Sequence, residues 1–313
     1  MPVAVNELPA ALPTACFEEK MNTKLREKLM NTKIVTKIKR KIWKSVLGED
    51  SWVQRNEDFR TQELYGLIKR ANYVYGMLRA ADVATYFGKK AATVIEFGVA
   101  SGAGLLNMIE VAPLIEKETG VQLRIVGFDT GKGLPPVEGF KDHPELWCSG
   151  DFSMENRDWL VRKLDGHAEM IWGDIRDTIG PFTESIDEAA PIGFISVDVD
   201  IYTATKAALQ CLTSRPEKCN PAVSMYFDDV RFFFANEWAG ELAAIEEFNQ
   251  EHEFRKISRD KSLPGGRPRS WDSWYSAMYV CHILDHQKRQ RPRERQELTI
   301  DKHYDFMAAR FLS

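Results

Sequence analysis

The chain is poor in cysteine, and the cysteines it has follow no pattern. Among 313 residues there are five (Cys16, Cys148, Cys211, Cys219, Cys281), and no two stand in a Cys-x-x-Cys spacing. That excludes a disulfide framework and a cysteine-built zinc site, and leaves reduced thiols in the cytoplasm as the simplest account. Long apolar runs are missing too: none approaches the roughly 20 residues that cross a bilayer. The opening MPVAVNELPAALP lacks the basic segment and apolar core of a secretory leader. Neither sign of charge dominates, since 42 Lys and Arg face 46 Asp and Glu for a formal net charge of −4. This balance gives no electrostatic argument for a nucleic-acid partner, and none is expected.

What is there is an ordinary globular composition, 44% hydrophobic, enough for one large core or two modest ones. Residues 1–20 carry three prolines and no periodicity. Over 24–47 apolar residues recur at Leu25, Leu29, Ile34, Ile38, Ile42 and Val46, the stripe of an amphipathic helix, and its other face is rich in Lys and Arg. Such a helix can lie on an anionic membrane. The favoured reading is a solvated face on a helix that packs on the domain or on a second copy, which suggests a homodimer. A second helical region is expected over 61–87. From there strands and helices alternate, with strands at 93–97, 123–128, 169–172, 192–197 and 223–227. Helices fall at 105–117, 157–164, 203–212 and 240–249. This pattern specifies a mostly parallel sheet covered on both faces. The last two strands, 254–258 and 277–284, have no helix between them and read as an antiparallel edge hairpin. The loop 259–274 that joins them is a candidate substrate-contacting segment. The expected division is a 1–60 extension, a 61–287 domain and a 288–313 tail.

The most informative stretch is TVIEFGVASGAG at 93–104, a short strand that ends in Glu96 and a turn with Gly98, Gly102 and Gly104. Glycine lets backbone approach a ligand closely, and the N-terminus of the helix that follows offers unpaired N–H groups. A dinucleotide fingerprint, Gly-x-Gly-x-x-Gly, fails in both registers, at Ala100 and at Asn107. What remains is Glu-x-Gly-x-x-x-Gly, in which the carboxylate suits a ligand with a cationic amino group, such as the methionine part of S-adenosylmethionine. Ligands of open α/β sheets sit beyond the carboxyl ends of the strands, where further acids fall. Asp129 ends the second strand and suits ribose hydroxyls. Asp174 ends the third and suits either an adenine amino group or a helix N-cap. Asp198 and Asp200 (VDVDIY) and Asp228 and Asp229 (YFDDV) crowd negative charge into one place. This is costly unless a cation neutralises it, and carboxylate oxygens suit Mg²⁺ or Ca²⁺.

VIEFGVASGAGLL, VGFDTGKGLP, WGDIRDTI, FISVDVDIYTATKAAL and YFDDV stand in an order that resembles the class I S-adenosylmethionine-dependent methyltransferases. Within that class the chain is most similar to the metal-dependent macrocin O-methyltransferase-like group, over about 73–286. The resemblance implies a Rossmann-like, doubly wound, seven-stranded sheet with an antiparallel C-terminal edge hairpin, beside which the N-terminal extension stands outside the likeness. It implies cofactor contacts at Glu96, Gly98, Ser101, Gly102 and Asp129, with Asp174 added from the residues above. Metal ligands would be Asp198, Asp228 and Asp229, with Asp200 as the alternative first ligand. Catechol-type relatives have a lysine base three residues after the first ligand; Ile201 stands there in this chain, which leaves Lys206, Tyr202 and His143 as candidate bases. The expected function is divalent-metal-assisted methyl transfer to a hydroxyl of a small molecule or carbohydrate, in which Asp198 has a catalytic role through the metal. The alternatives are a metal-dependent glycosyltransferase that uses Asp198-Val-Asp200, and a non-catalytic cofactor-binding protein on the same fold.

Overall fold

A computed structural model describes residues 48–290. The basic stripe at 24–47, and the tail beyond residue 290, lie outside the described residues. The chain divides after Glu57. Before that point stands α1 (Glu49–Asn56), which carries two acids in its first turn and Arg55 in its last, in keeping with its dipole.

After Glu57 the order is α2 (Phe59–Leu64), α3 (Ala71–Tyr86), β1 (Ala91–Phe97), α4 (Ala103–Thr119), β2 (Gln122–Asp129), α5 (Arg157–Leu164), β3 (Glu169–Trp172), α6 (Ile175–Ser185), β4 (Ile192–Val197), α7 (Tyr202–Ala208), β5 (Cys219–Phe227), α8 (Gly240–Glu251), β6 (Arg255–Arg259) and β7 (Met278–Ile283). The seven strands form one sheet in the order β3-β2-β1-β4-β5-β7-β6. β1 to β5 pair in parallel, while β7 runs antiparallel between β5 and β6. This is the doubly wound, Rossmann-like sheet with an antiparallel edge pair that the strand pattern specifies. Its strand order reverses between β1 and β4, and there the connecting loops part to leave a crevice. No helix among the described residues is long and apolar enough to cross a membrane.

The central strands are buried along their length: β4 (IGFISV) throughout and β1 after its first residue. Phe97 and Phe128 stack across β1 and β2 with ring centroids 4.7 Å apart, and Phe182 of α6 meets Phe128 edge-on at 5.0 Å. α3 lies on the sheet through Ala80, Ala81 and Ala84, all fully buried, and through Gly76. Small residues let helix and strand approach: a Cβ at Gly193 would stand 2.7 Å from that of Ala80.

Two local features differ from the expected pattern. The helical region expected over 61–87 is two helices, because Gly66 (φ 64°) and Arg70 (φ 53°) take left-handed conformations that end α2 and start α3. α6 is an additional helix in spite of Gly180 and Pro181. Asp174 caps it, and Ile175, Ile179 and Phe182 bury one face at i, i+4, i+7 spacing.

Gly76 sets two effects against each other. Alanine is favoured over glycine inside a helix by about 1 kcal/mol. A Cβ at this position would stand 2.2 Å from the buried ring of Phe194, however, and overpacking costs about 1–3 kcal/mol. Gly76→Ala is therefore expected to lower the melting temperature, and Phe194→Leu in the same chain to recover part of the loss. A Gly76→Ala protein more stable than wild type would show that the helix and β4 can separate at little cost.

Candidate functional site

The site is organised by the turn after β1. Gly98 has φ 84°, and a Cβ on it would lie 1.7 Å from the carbonyl oxygen of Asp198, so no side chain fits there. The Gly98 N–H donates to the Phe128 carbonyl (2.9 Å), the Asp198 N–H to Phe97 (2.9 Å), and the Asp228 N–H to Val197 (3.1 Å). The segments that leave β1, β4 and β5 are thus laced to one another where the strands end. Gly102 (φ 88°) precedes α4 with no side-chain cap, and a Cβ on it would meet Leu160 at 2.3 Å. Ser101 is exposed, and its carbonyl accepts from Asn156 (3.1 Å).

Glu96 lies beneath this turn. Tyr73 donates to its Oε1 (2.7 Å), Ser196 donates to the Tyr73 hydroxyl (2.9 Å), and a Cβ at Gly104 would meet that Oε1 at 1.7 Å. Its Oε2 is buried without a hydrogen-bond partner. Burial pushes the carboxyl up to about 7, against the opposing pull of the Tyr73 hydrogen bond and the Arg70 charge.

Above the turn a cavity of about 280 Å³ opens at the carboxyl ends of β1, β2, β3 and β4. Of the expected cofactor contacts, Gly98, Asp129 and Asp174 line it, together with Asp198 and Asp200; Glu96, Ser101 and Gly102 do not. Asp129 accepts from the N–H groups of Val99 (3.0 Å), Ala100 (2.9 Å) and Gly131 (2.6 Å), which binds the first turn to the second. Asp174 both lines the cavity and caps α6 through the Arg176 N–H (2.9 Å). The hydrogen bonds from the Arg176 guanidinium hold its carboxyl below the usual range. Sequence reasoning did not find Thr130, Leu134, Pro135 and Phe152, which also line it. The signal was the GKGLP run. Gly133 (φ 83°) approaches the carbonyl of Asp151 so closely that a Cβ would stand 2.3 Å from it, which brings Phe152 over the cavity.

The acids crowd one edge. Asp198 is pushed up to about 8 and Asp200 to about 7, first by burial and then by the charges of their acidic neighbours; Asp229 rises to about 6 for the same reasons. Asp200 also holds a left-handed backbone, φ 62°. Tyr226 donates to Asp228 Oδ1 (2.5 Å). Among the described residues none of these four carboxylates has a Lys or Arg ion pair within 4 Å. Nor do three His, Cys, Asp or Glu groups among them converge as a ready-made metal cage. A fifth acid, Glu241, went unnoticed in the sequence, where GELAAIEEF gives it the look of any first-turn acid. It is 2% exposed, accepts from the Asp229 N–H (2.9 Å), and is driven well above the usual range by burial and the charge of Asp229.

The three candidate bases separate. Lys206 donates to Glu247 and Glu251 (2.9 Å each), which holds its ammonium protonated, and Tyr202 donates to Glu247 (2.5 Å). Both tie α7 to α8, and neither lines the cavity. His143 is 3% exposed, its Nδ1 is 2.9 Å from Glu145, and its Nε2 is buried and unpartnered, as are Asp229 Oδ2 and Glu241 Oε1. It too lies outside the cavity lining. Asp142, just before it, is fully buried and accepts from the N–H groups of Thr203 (2.8 Å) and Glu138 (2.7 Å), so it holds the start of α7.

No protein-family model matches this chain, and no curated protein matches it. Among solved structures it is similar to the calicheamicin methyltransferase CalS11, with 20% identity, coverage of 91% of this chain and 100% of that one, and a TM-score of 0.49. The O-methyltransferase NovP shows 12% identity over 68% of this chain and 79% of its own, with a TM-score of 0.46. The plantazolicin methyltransferase BpumL, in complex with a triazolic desmethylPZN analog and SAH, shows 12% identity over 84% and 99%, with a TM-score of 0.33. Likeness at this level does not transmit an activity or a substrate.

Two expectations follow from the geometry. Gly98→Ala should lower the melting temperature, since a left-handed alanine costs about 1–2 kcal/mol before the clash with the Asp198 carbonyl is counted. A Gly98→Ala protein that melts with the wild type would show that the turn opens freely. The second concerns Glu96. Its folded pKa of about 7 lies above its ordinary 4.5, so the fold favours the protonated form. That stabilisation is complete below about pH 4.5 and is lost as pH rises through about 7. Denaturant titrations from pH 5 to 8 should show wild type losing roughly 2–3 kcal/mol relative to Glu96→Gln; parallel profiles would mean that Glu96 ionises without penalty.

Proposed function

We propose that the protein is an S-adenosylmethionine-dependent, divalent-metal-assisted O-methyltransferase that acts on a hydroxyl of a small molecule or carbohydrate. The observation that carries this reading is contiguity: a cavity at the β1–β4 reversal and a knot of carboxylates without Lys or Arg ion pairs share Asp198. The adenosine end of the cofactor belongs at Asp129 and Asp174. Three of the roughly four acceptor positions of the Asp129 carboxylate take backbone N–H groups, and what is left serves a ribose hydroxyl. Gly98 and Ala100 let the methionine end approach the backbone, while Glu96, Gly102 and Ser101 build the turn on which it rests. The bound cofactor supplies an electrophilic methyl group.

The donor chemistry fits a divalent cation. Asp198, Asp228 and Asp229 are hard oxygen donors without a Lys or Arg partner, Asp229 Oδ2 is an orphan buried atom, and Asp200 stands as the alternative to Asp198. The side chains must close up to form the cage. A cation held there would lower the pKa of an acceptor hydroxyl as a Lewis acid. Of the candidate bases His143 alone keeps a free acceptor, Nε2, while Glu145 fixes the proton on Nδ1.

Asp228→Asn tests the assignment. Loss of a ligand should cost about 10–100-fold or more in metal affinity, while S-adenosylhomocysteine affinity stays within a few-fold. Calorimetry of Mn²⁺ into the S-adenosylhomocysteine-loaded protein checks the first and direct titration the second. If the variant binds metal like wild type, or loses the nucleoside ligand instead, the acids have another role.

A further inference from the structure

Of the large apolar side chains left in solvent, three follow the acids closely in sequence. Phe233 (92% exposed), Trp238 (74%) and Phe234 (49%) stand within six residues in the loop that starts directly after Asp228 and Asp229. The loop is ordered by its own contacts. The ring of Phe232 meets His143 edge-on at 5.6 Å, and Phe233 meets Phe234 in the same way at 4.9 Å. Asn236 accepts from the Trp238 N–H (3.0 Å) and donates to the Phe234 carbonyl (2.9 Å). Phe140, 71% exposed, lies three residues before His143, so the His143–Phe232 contact draws a second aromatic loop to the first. On the cavity side Phe152, 56% exposed, is part of the lining. Phe152 thus stands at the cavity that Asp198 lines, and Phe232 and Phe233 follow Asp229 in the loop after β5.

Apolar exposure this concentrated marks a binding surface, and its place selects the occupant. Whatever receives a methyl group must reach the acids from outside the cofactor cavity, and this loop begins at the acids. Charge narrows the chemistry further. The one cation within the loop, Arg231, is turned to the carbonyl of Ser273, and Lys141 beside Phe140 is paired with Glu247. Five carboxylates, Asp198, Asp200, Asp228, Asp229 and Glu241, outnumber these cations, so an anionic acceptor is disfavoured there. Resting on the methyltransferase reading above, we propose that this loop is the acceptor platform, and that the acceptor is an uncharged aromatic compound bearing a hydroxyl. Its rings stack on Phe233 and Trp238, and its hydroxyl points to the acids.

The test uses the full chain loaded with S-adenosylhomocysteine in EDTA, with 2-naphthol and 2-naphthyl phosphate as probes in calorimetry or saturation-transfer NMR. Wild type is expected to bind 2-naphthol with saturation, and the phosphate at least about ten-fold more weakly. Phe233→Ser and Trp238→Ser, both at exposed positions, should each weaken naphthol about five- to ten-fold, the range expected for one aromatic contact. Leu114→Ser, on the exposed face of α4, should leave it unchanged. Equal naphthol binding by wild type and the loop variants overturns the proposal, as does the absence of naphthol binding or tighter binding of the phosphate. So does light scattering that shows a wild-type dimer and a Phe233→Ser monomer, since the patch would then cover a second copy. Failure of the methyltransferase reading itself would appear separately, as loss of S-adenosylhomocysteine binding by wild type.

Discussion

The contact on which the rest depends is the approach of the Gly98 backbone to the carbonyl of Asp198. It joins the chain leaving β1 to the chain leaving β4 at the one place where the strand order reverses. Because the two backbones touch, the turn that faces the cavity and the first acid of the cluster are held as one rigid unit. Asp129 extends the unit to β2 with three backbone hydrogen bonds, and the Asp228 N–H extends it to β5. The apolar strands beneath are interchangeable with many others of similar size; this contact is not.

Rigidity explains why the acids tolerate one another. Five carboxylates, Asp198, Asp200, Asp228, Asp229 and Glu241, stand near the ends of β4 and β5, and burial together with mutual charge drives four of them upward. A flexible site would relieve this by splaying apart. Here the backbone is fixed by the lacing of the strand ends, by the Asp142 clamp on α7 and by the Glu241 bond to the Asp229 N–H.

Much of this was legible in the chain. Alternation of strand and helix, broken only where α6 went unseen, gave the parallel sheet, and the last two strands, with no helix between them, gave the edge pair. The glycines of the β1 turn stood out because only glycine fits where backbone meets backbone. Other parts had no local signature. The break at Gly66 and Arg70 turns on backbone conformation that an apolar count does not register, and α6 was obscured by Gly180 and Pro181. The place of Glu96 under the turn depends on Tyr73, 23 residues earlier in sequence. Lys206 stood among the candidate bases on sequence position alone, yet its partners Glu247 and Glu251 come from a helix distant in sequence. Glu241 and the isolation of His143 Nε2 are properties of the assembled site alone.

At the centre stands the cavity at the β1–β4 reversal, proposed to take the adenosyl cofactor independently of any metal. Calorimetric titration of the purified full chain with S-adenosylhomocysteine, in Mg²⁺ and again in EDTA, tests it most directly. One-to-one binding in the micromolar range is expected under both conditions. No binding in either, with heat released instead by a nucleotide sugar in the presence of metal, would contradict it and assign Asp198 and Asp200 to glycosyl transfer.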